Sequence, residues 1–281
     1  MSLLDPRTIR ELAAELDLRP TKQRGQNFVH DPNTVRRIVA ASGIGPHDAV
    51  LEIGPGLGSL TLGLLGAAAH VTAIEIEAAL ARRLPLTVAE LMPTASDALR
   101  VIEADALGVD SLPDPQPTAV VANLPYNVSV PVILHLMERF ATLARGLVMV
   151  QLEVADRLAA PPGSRTYGVP SAKLAWYADA RRVGTVPPTV FWPVPNVDSG
   201  LVAITRREPP PTAATRRAVF EVIDAAFAQR RKMLRGALAG LFGSSTDAAA
   251  ALERAGINPQ ARGEVLGIAE FARVAEQLPQ R

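Results

Sequence analysis

The fold of this chain is decided by one stretch, VLEIGPGLGSLT at residues 50–61. An apolar run is followed by three closely spaced glycines and then by the start of a helical pattern. Glycines allow a ligand to approach the backbone closely, and a helix N-terminus offers free N–H groups. The stretch therefore predicts a strand, a ligand-binding turn and a helix, with Gly54 and Gly56 beside the ligand.

Two further predicted strands each lead into a carboxylate. Residues 71–74 lead into Glu75, about 20 residues past the first glycine of the turn, where an acidic side chain can bind ribose hydroxyls. Residues 99–104 lead into Asp105, which we expect to accept a hydrogen bond from the amino group of an adenine. An NAD-binding domain is the alternative, but its Gly-x-Gly-x-x-Gly fingerprint needs a glycine where Ser59 stands.

A fourth apolar run, residues 119–122, leads directly into Asn123-Leu124-Pro125-Tyr126. The amide oxygen of Asn123 and the carbonyl of Leu124 or Pro125 can each accept a hydrogen bond from an exocyclic NH2 group. The ring of Tyr126 can stack on the same base. A strand that ends in an ordinary turn, with Tyr126 in the core, is the alternative. Hydride transfer gives this tetrapeptide no role, which further disfavours an NAD enzyme.

These strand ends, in this order, resemble S-adenosylmethionine-dependent amino-methyltransferases that act on adenine. More narrowly, the chain resembles the 16S rRNA adenine N6,N6-dimethyltransferase family from residue 24 to about residue 272. The resemblance also rests on GQNF at 25–28, FWPVPNVDS at 191–199 and FAQRRK at 227–232. It implies the α/β fold class, with a Rossmann-like methyltransferase sheet, helices on both faces and a small C-terminal all-helical domain.

The resemblance also implies residue roles, carried onto the matching positions. The cofactor S-adenosylmethionine is expected to contact Asn27, Val29, Gly54, Gly56, Glu75, Asp105 and Asn123. The catalytic positions are expected to be Asn123, Leu124, Pro125, Tyr126 and Phe191. Two prolines stiffen the loop that starts at Phe191, so its ring is expected to lie against the base opposite Tyr126, with a core phenylalanine as the alternative. Leu152 departs from the family, which usually has Lys there.

Composition excludes several other classes of protein. The chain has 281 residues, of which 48% are hydrophobic, which is enough for a substantial core. It has no cysteine, so disulfides, thiolate metal sites and a cysteine nucleophile are excluded. The histidines show no ligand spacing, and we predict no metal site. We find neither a signal-peptide pattern nor an uncharged stretch of membrane-spanning length, so we expect a soluble cytoplasmic protein without a membrane partner.

Positive charge is concentrated near the C-terminal end. The net charge is only +1, but residues 206–235 contain eight basic and three acidic side chains. Arg230, Arg231, Lys232 and Arg235 are predicted to contact RNA phosphates. We expect Arg231 and Arg235 to share one face of a continuous helix, because they are four residues apart. A solvated helix face is the alternative explanation.

Turn-forming residues divide the chain into three parts. Residues 1–24 are expected to form an N-terminal helix and an arm, and residues 25–207 the cofactor-binding catalytic domain. After the linker Glu208-Pro209-Pro210-Pro211, residues 208–281 are expected to form a small helical domain that recognises rRNA. A loop around Tyr167 is also expected to face RNA.

The resemblance implies a definite reaction. The protein is expected to transfer methyl groups to N6 of two adjacent adenines in the 3′-terminal hairpin of 16S rRNA, giving N6,N6-dimethyladenine. Its partner is expected to be the immature small ribosomal subunit, bound by a monomer during subunit biogenesis. Two alternatives stay open: a macrolide-resistance methylase that acts on large-subunit rRNA, and an assembly factor whose main task is binding. The blocks at 191–199 and 229–232 favour the first function over the macrolide-resistance methylase.

Overall fold

The computed structural model describes residues 3–18 and 27–279, so residues 19–24 of the expected arm lie outside the described part. The chain forms two compact units. The first unit comprises Met1–Ala155 and Arg181–Arg206, and the second comprises Asp156–Ala180 and Arg207–Arg281. The observed boundary at 206/207 is close to the expected one, but residues 156–180 belong to the helical unit instead of the catalytic domain.

Side-chain contacts explain this difference. The hydroxyl of Tyr167 donates to the carbonyl oxygen of Leu266 at 2.8 Å. The ammonium group of Lys173 lies 2.7 Å from a carboxylate oxygen of Asp224. Tyr167 is only 2% exposed, so its side chain packs inside the second unit, whereas Gly163 and Arg165 of the same loop are exposed. Local sequence could not reveal this because both partners lie far along the chain.

The first unit is built on a mixed sheet. Its strands are β2 (Ala49–Ile53), β3 (His70–Glu75), β4 (Leu99–Glu103), β5 (Ala119–Asn123), β6 (Arg145–Gln151), β7 (Ala178–Val186) and β9 (Ser199–Arg206). Their order in the sheet is β4-β3-β2-β5-β6-β9-β7. The first five strands in this order pair in parallel, and β9 runs antiparallel to β6. A separate ribbon pairs β1 (Phe28–Val29) with β8 (Phe191–Trp192).

The central strands are buried on both faces, as parallel sheets covered by helices require. All five residues of β2 are buried, as are the first four of β5. The strand order reverses between β2 and β5, and open α/β sheets bind ligands beyond the carboxyl ends of strands at such a switch point. The predicted α/β fold class is confirmed.

Helices connect these strands. Those of the first unit are α1 (Pro6–Glu15), α2 (Pro32–Ser42), α3 (Ser59–Leu65), α4 (Ala78–Leu91) and α5 (Ser129–Arg139). Helix α6 (Leu152–Leu158) includes the chain boundary between Ala155 and Asp156. The second unit contains α7 (Val169–Leu174), α8 (Arg216–Ala228), α9 (Leu234–Ala237), α10 (Ala239–Phe242), α11 (Ser245–Arg254) and α12 (Ile268–Ala275).

The basic segment does not form one continuous helix. Helix α8 ends at Ala228, where Gln229 adopts a non-helical conformation with φ −126° and ψ 53°. Arg231 lies in the turn that follows, whereas Arg235 lies in α9. The prediction that Arg231 and Arg235 share a helix face is therefore wrong. The backbone N–H groups of Leu234 and Arg235 instead donate to the carbonyls of Ala261 and Pro259.

We predict that Gly58→Ala destabilises the protein more than Gly43→Ala. Both glycines have positive φ, so each alanine costs about 1 kcal/mol of backbone strain. A Cβ at Gly58 would lie 2.7 Å from Cδ1 of the buried Leu84, whereas one at Gly43 would meet no described atom within 4 Å beyond its own helix and chain neighbours. Overpacking adds about 1–3 kcal/mol at Gly58 alone. Urea unfolding of both variants measures the difference, and equal midpoints would contradict it.

Candidate active site

A cavity of about 390 Å³ opens at the carboxyl ends of β2, β3, β4 and β5. This volume is within the usual range for a small-molecule site. Of the residues expected at the cofactor, the cavity is lined by Asn27, Val29, Gly54, Gly56, Glu75, Asp105 and Asn123. The structure therefore brings all seven predicted cofactor positions together at the switch point of the sheet.

The glycine turn is fixed by the side chain of Glu75. One carboxylate oxygen accepts a hydrogen bond from the backbone N–H of Gly56 at 3.1 Å, and the other accepts from the N–H of Glu77 at 3.0 Å. Gly56 has φ +58°, and a Cβ there would lie 2.8 Å from the Phe28 ring. Only glycine permits this approach between the turn and β1. Burial raises the pKa of Glu75 despite both hydrogen bonds.

Asn123 ends β5 with its amide held in one orientation. Its Nδ2 donates to the backbone carbonyl of Asn27 at 3.0 Å. This bond uses the amide nitrogen and leaves Oδ1 as the atom of Asn123 that can accept a hydrogen bond from a ligand in the cavity. The carbonyl of Pro125 already accepts from the N–H of Val128 at 3.3 Å. Leu124 has a buried side chain, and its N–H donates to the carbonyl of Met149 on β6.

Tyr126 is half-buried beside the cavity and is not among its lining residues. Its hydroxyl lies 2.9 Å from Oγ of Ser199, the fully buried first residue of β9. Burial raises the pKa of the Tyr126 phenol. This hydrogen bond ties the turn after β5 to the end of the 191–199 block. Ser199 belongs to the block that supports the family resemblance, but the sequence did not predict its contact with Tyr126.

Phe191 does not face the cavity. Its side chain is 0% exposed and belongs to the hydrophobic core of the first unit. The backbone of Phe191 pairs with that of Val29 in the ribbon of β1 and β8. In this conformation the ring is not accessible to a base opposite Tyr126. Phe191 is instead a core residue, which was the alternative to a contact with the base.

Two residues on the adenine side of the predicted site were not predicted from the sequence to belong to it. Ile76 and Leu107 line the cavity, yet they are 64% and 39% exposed. Each follows closely after an expected ligand residue, Glu75 or Asp105. The Oδ1 atom of Asp105 accepts from the N–H of Leu107 at 2.9 Å, which fixes the orientation of this carboxylate. A large apolar residue just beyond a strand-end carboxylate is the signal that would have identified Ile76.

Glu52 is a second missed residue. It lies in β2, lines the cavity and is only 1% exposed. One carboxylate oxygen accepts from the hydroxyl of Thr61 at 2.7 Å. Burial, the largest cause, together with the nearby Glu75, raises the pKa of Glu52 to about 8. A protonated glutamic acid at neutral pH therefore lies beneath the glycine turn.

The predicted RNA-contacting residues lie in the second unit and differ in their surroundings. Arg230 is held by Glu264 at 3.1 Å and by the carbonyl of Arg165 at 2.7 Å. Arg231, Lys232 and Arg235 are exposed. Arg230 therefore stabilises the unit itself, whereas the other three present their charges to solvent.

Within 3–18 and 27–279, no group of three or more His, Asp or Glu side chains is arranged to hold a metal ion. None of the helices in the described ranges combines the length and apolarity that a membrane crossing requires.

The strand order, the glycine turn and the acidic end of β3 together define a Rossmann-like methyltransferase. Residues 18–280 match the family model described as ribosomal RNA adenine dimethylase. The chain belongs to this family, which confirms the resemblance seen in the sequence.

Individual relatives agree with this assignment. Ribosomal RNA small subunit methyltransferase A from Thermobifida fusca is 63% identical over 99% of this chain and 96% of its own length. The Cutibacterium acnes protein of the same name is 62% identical over 99% and 95%. The solved 23S rRNA methyltransferase ErmE is 28% identical, with a TM-score of 0.65 over 90% of this chain and all of its own. A dimethyladenosine transferase from Plasmodium falciparum shares the fold, with a TM-score of 0.74, 23% identity and coverages of 88% and 95%.

We predict that the contribution of Glu52 to stability declines as pH rises. Its pKa is near 4.5 in the unfolded chain and about 8 in the folded protein, so the folded state retains a proton that the unfolded state loses. The contribution is fully present below pH 4.5 and is lost as pH rises through about 8. Glu52→Gln should lack this change, which is on the order of a few kcal/mol. Urea unfolding at pH 5 and pH 8 tests this, and parallel profiles would contradict it.

Proposed function

We propose that this protein transfers methyl groups from S-adenosylmethionine to N6 of two adjacent adenines in the 3′-terminal hairpin of 16S rRNA, giving N6,N6-dimethyladenine. The observation that carries the proposal is the position of Asn123 and Pro125. Both line the same cavity as the glycine turn and Glu75. Full-length identity above 60% to proteins named ribosomal RNA small subunit methyltransferase A supports the substrate class.

The residues of the cavity fit S-adenosylmethionine. When bound, this cofactor supplies a methyl group on a positively charged sulfur atom. Glu75 would bind the ribose hydroxyls, and Asp105 would accept from the adenine amino group. Ile76 and Leu107 would cover the adenine ring with apolar surface, which accounts for their exposure. The buried hydroxyl of Ser59 lines the cavity and has no partner among the described residues, so it has hydrogen-bonding capacity left for a polar ligand.

The chain supplies acceptors for the base. Adenine N6 is a poor nucleophile because its lone pair is delocalised into the ring. The Asn123 amide oxygen and the Leu124 carbonyl would accept the two N6 hydrogens and draw N6 toward tetrahedral geometry. The bond from Asn123 Nδ2 to Asn27 supports this role because it orients the amide oxygen. The Tyr126 ring would stack on the base, and the surplus proton would leave to water.

The second unit provides a surface for the RNA. A pocket for one adenine cannot select one hairpin in a ribosome, so a larger surface must contribute. We assign this task to the exposed Arg231, Lys232 and Arg235. The partner is accordingly 16S rRNA in the immature small subunit, bound in the cytoplasm by a monomer. A binding role in subunit assembly is compatible with the same surface.

The reaction is tested by offering tritiated S-adenosylmethionine with unmethylated small subunits or with large-subunit RNA. We expect label only in 16S rRNA, recovered as N6-methylated adenine. Label in large-subunit RNA would instead favour methylation of 23S rRNA, the activity for which ErmE is named. Binding to small subunits without label would favour the assembly factor.

We predict that Asn123→Ala lowers the turnover number far more than it lowers affinity for S-adenosylmethionine. The amide oxygen acts on N6, so its loss removes an interaction with the reacting base. Tyr126→Ala should lose stacking worth about 1–3 kcal/mol. Single-turnover methylation and calorimetric cofactor titration separate the two effects. Wild-type turnover in both variants would show that this tetrapeptide is not the base site.

We further predict that replacing Arg231, Lys232 and Arg235 by Ala weakens subunit binding and flattens its salt dependence. The slope should fall by about 0.7–0.9 for each phosphate that the variant no longer neutralises. The matched control replaces the exposed Arg10, Arg36 and Arg100 of the first unit, which changes net charge equally. Affinity for S-adenosylmethionine should not change in the first variant. If both triple variants show the same slope, the cluster contributes only general charge.

A further inference from the structure

The ionisable lining of the cavity is entirely acidic. Glu52, Glu75, Glu77 and Asp105 line it, and no Lys, Arg or His is among the lining residues that the structure describes. A cleft lined by charges of one sign raises the local concentration of ligands of the opposite sign. The cavity is therefore suited to a cationic ligand, whose positive charge would lie near one of these carboxyl groups.

Glu52 differs from the other three carboxyl groups in its surroundings. Glu75 receives two backbone N–H groups, but the one hydrogen bond to Glu52 among the described residues comes from the Thr61 hydroxyl. The neighbouring elements α3 and β5 contain no titratable side chain, and β3 contributes only Glu75 nearby. An ionised carboxylate in such a place is costly unless a cation accompanies it. In the ligand-free protein Glu52 is consequently protonated at neutral pH.

The strand order locates Glu52 relative to the cofactor. Glu75 ends β3, Ile76 follows it, and Asp105 lies just beyond β4, which places the adenosine part over that side of the sheet. The remaining length of the cavity extends over β2 toward β5 and Asn27. Glu52 is the penultimate residue of β2, so it lies beneath the part left for the methionine end.

We propose that Glu52 is a proton-linked counter-ion for the cofactor, neutral in the free protein and ionised once the positively charged methionine end of S-adenosylmethionine is bound. This inference rests on the proposed function. The carboxyl O–H bond breaks, and the proton leaves to the buffer. The carboxylate that remains keeps its hydrogen bond from Thr61 and faces the positive charge of the ligand.

Binding should therefore release a proton and depend on pH. Because the site must lose a proton to bind, affinity for S-adenosylmethionine rises by up to about tenfold per pH unit between pH 6 and pH 8. The uncharged analogue 5′-methylthioadenosine provides no cation, so its binding should release no proton. The site thus discriminates by charge between ligands that share the same adenosine part.

Calorimetric titration of the full chain at pH 7, in phosphate and in Tris, counts the protons released. We expect release approaching one proton per S-adenosylmethionine and none with 5′-methylthioadenosine. In Glu52→Gln both the release and the rise of affinity with pH should disappear. S-adenosylhomocysteine separates the two cations of the cofactor: proton release with it assigns the partner as the ammonium, and absence of release assigns the sulfonium.

The wild-type result alone decides the matter if the Gln variant does not fold. Thr61→Val gives a second test, because it removes the hydrogen bond that lowers the pKa of Glu52 and should move the affinity profile to higher pH. S-adenosylmethionine binding with the same heat in both buffers would overturn the inference, as would full release in Glu52→Gln. Absence of any S-adenosylmethionine binding or methyl transfer would instead refute the proposed function.

Discussion

The structure of the site depends on two hydrogen bonds to one buried carboxylate. Gly56 in the turn after β2 and Glu77 beyond β3 both donate their backbone N–H groups to Glu75. These bonds fix the ends of two neighbouring strands in one arrangement. The close approach of Gly56 to the Phe28 ring adds β1 to the same arrangement. Substitution at Glu75 should therefore disturb the shape of the cavity as well as remove a ligand contact.

The sequence predicted what depends on neighbours along the chain. In a parallel sheet the functional residue lies at the end of a strand or just beyond it, so Glu75, Asp105 and Asn123 could be placed in advance. Residues of this kind account for the correct fold class and for the cavity lining.

The sequence failed where a residue depends on a distant partner. The burial of Phe191 follows from pairing between β1 and β8, which are separated by most of the first unit. Arg230 resembles its basic neighbours in the sequence, but Glu264 and the carbonyl of Arg165 hold it in place. Glu52 could be read as one more strand residue, because its burial beneath the turn is a property of the folded sheet.

The second unit is assembled from two separated segments of the chain, residues 156–180 and 207–281, and residues 181–206 of the first unit come between them in the sequence. During synthesis the first segment leaves the ribosome before the helices that it packs against have been made. The apolar side chains of this first segment therefore lack their packing partners until the chain is nearly complete. The strands of the sheet have been synthesised before that point. A nascent chain thus acquires its cofactor cavity early and its basic surface last, so a stalled or truncated product would contain the former without the latter.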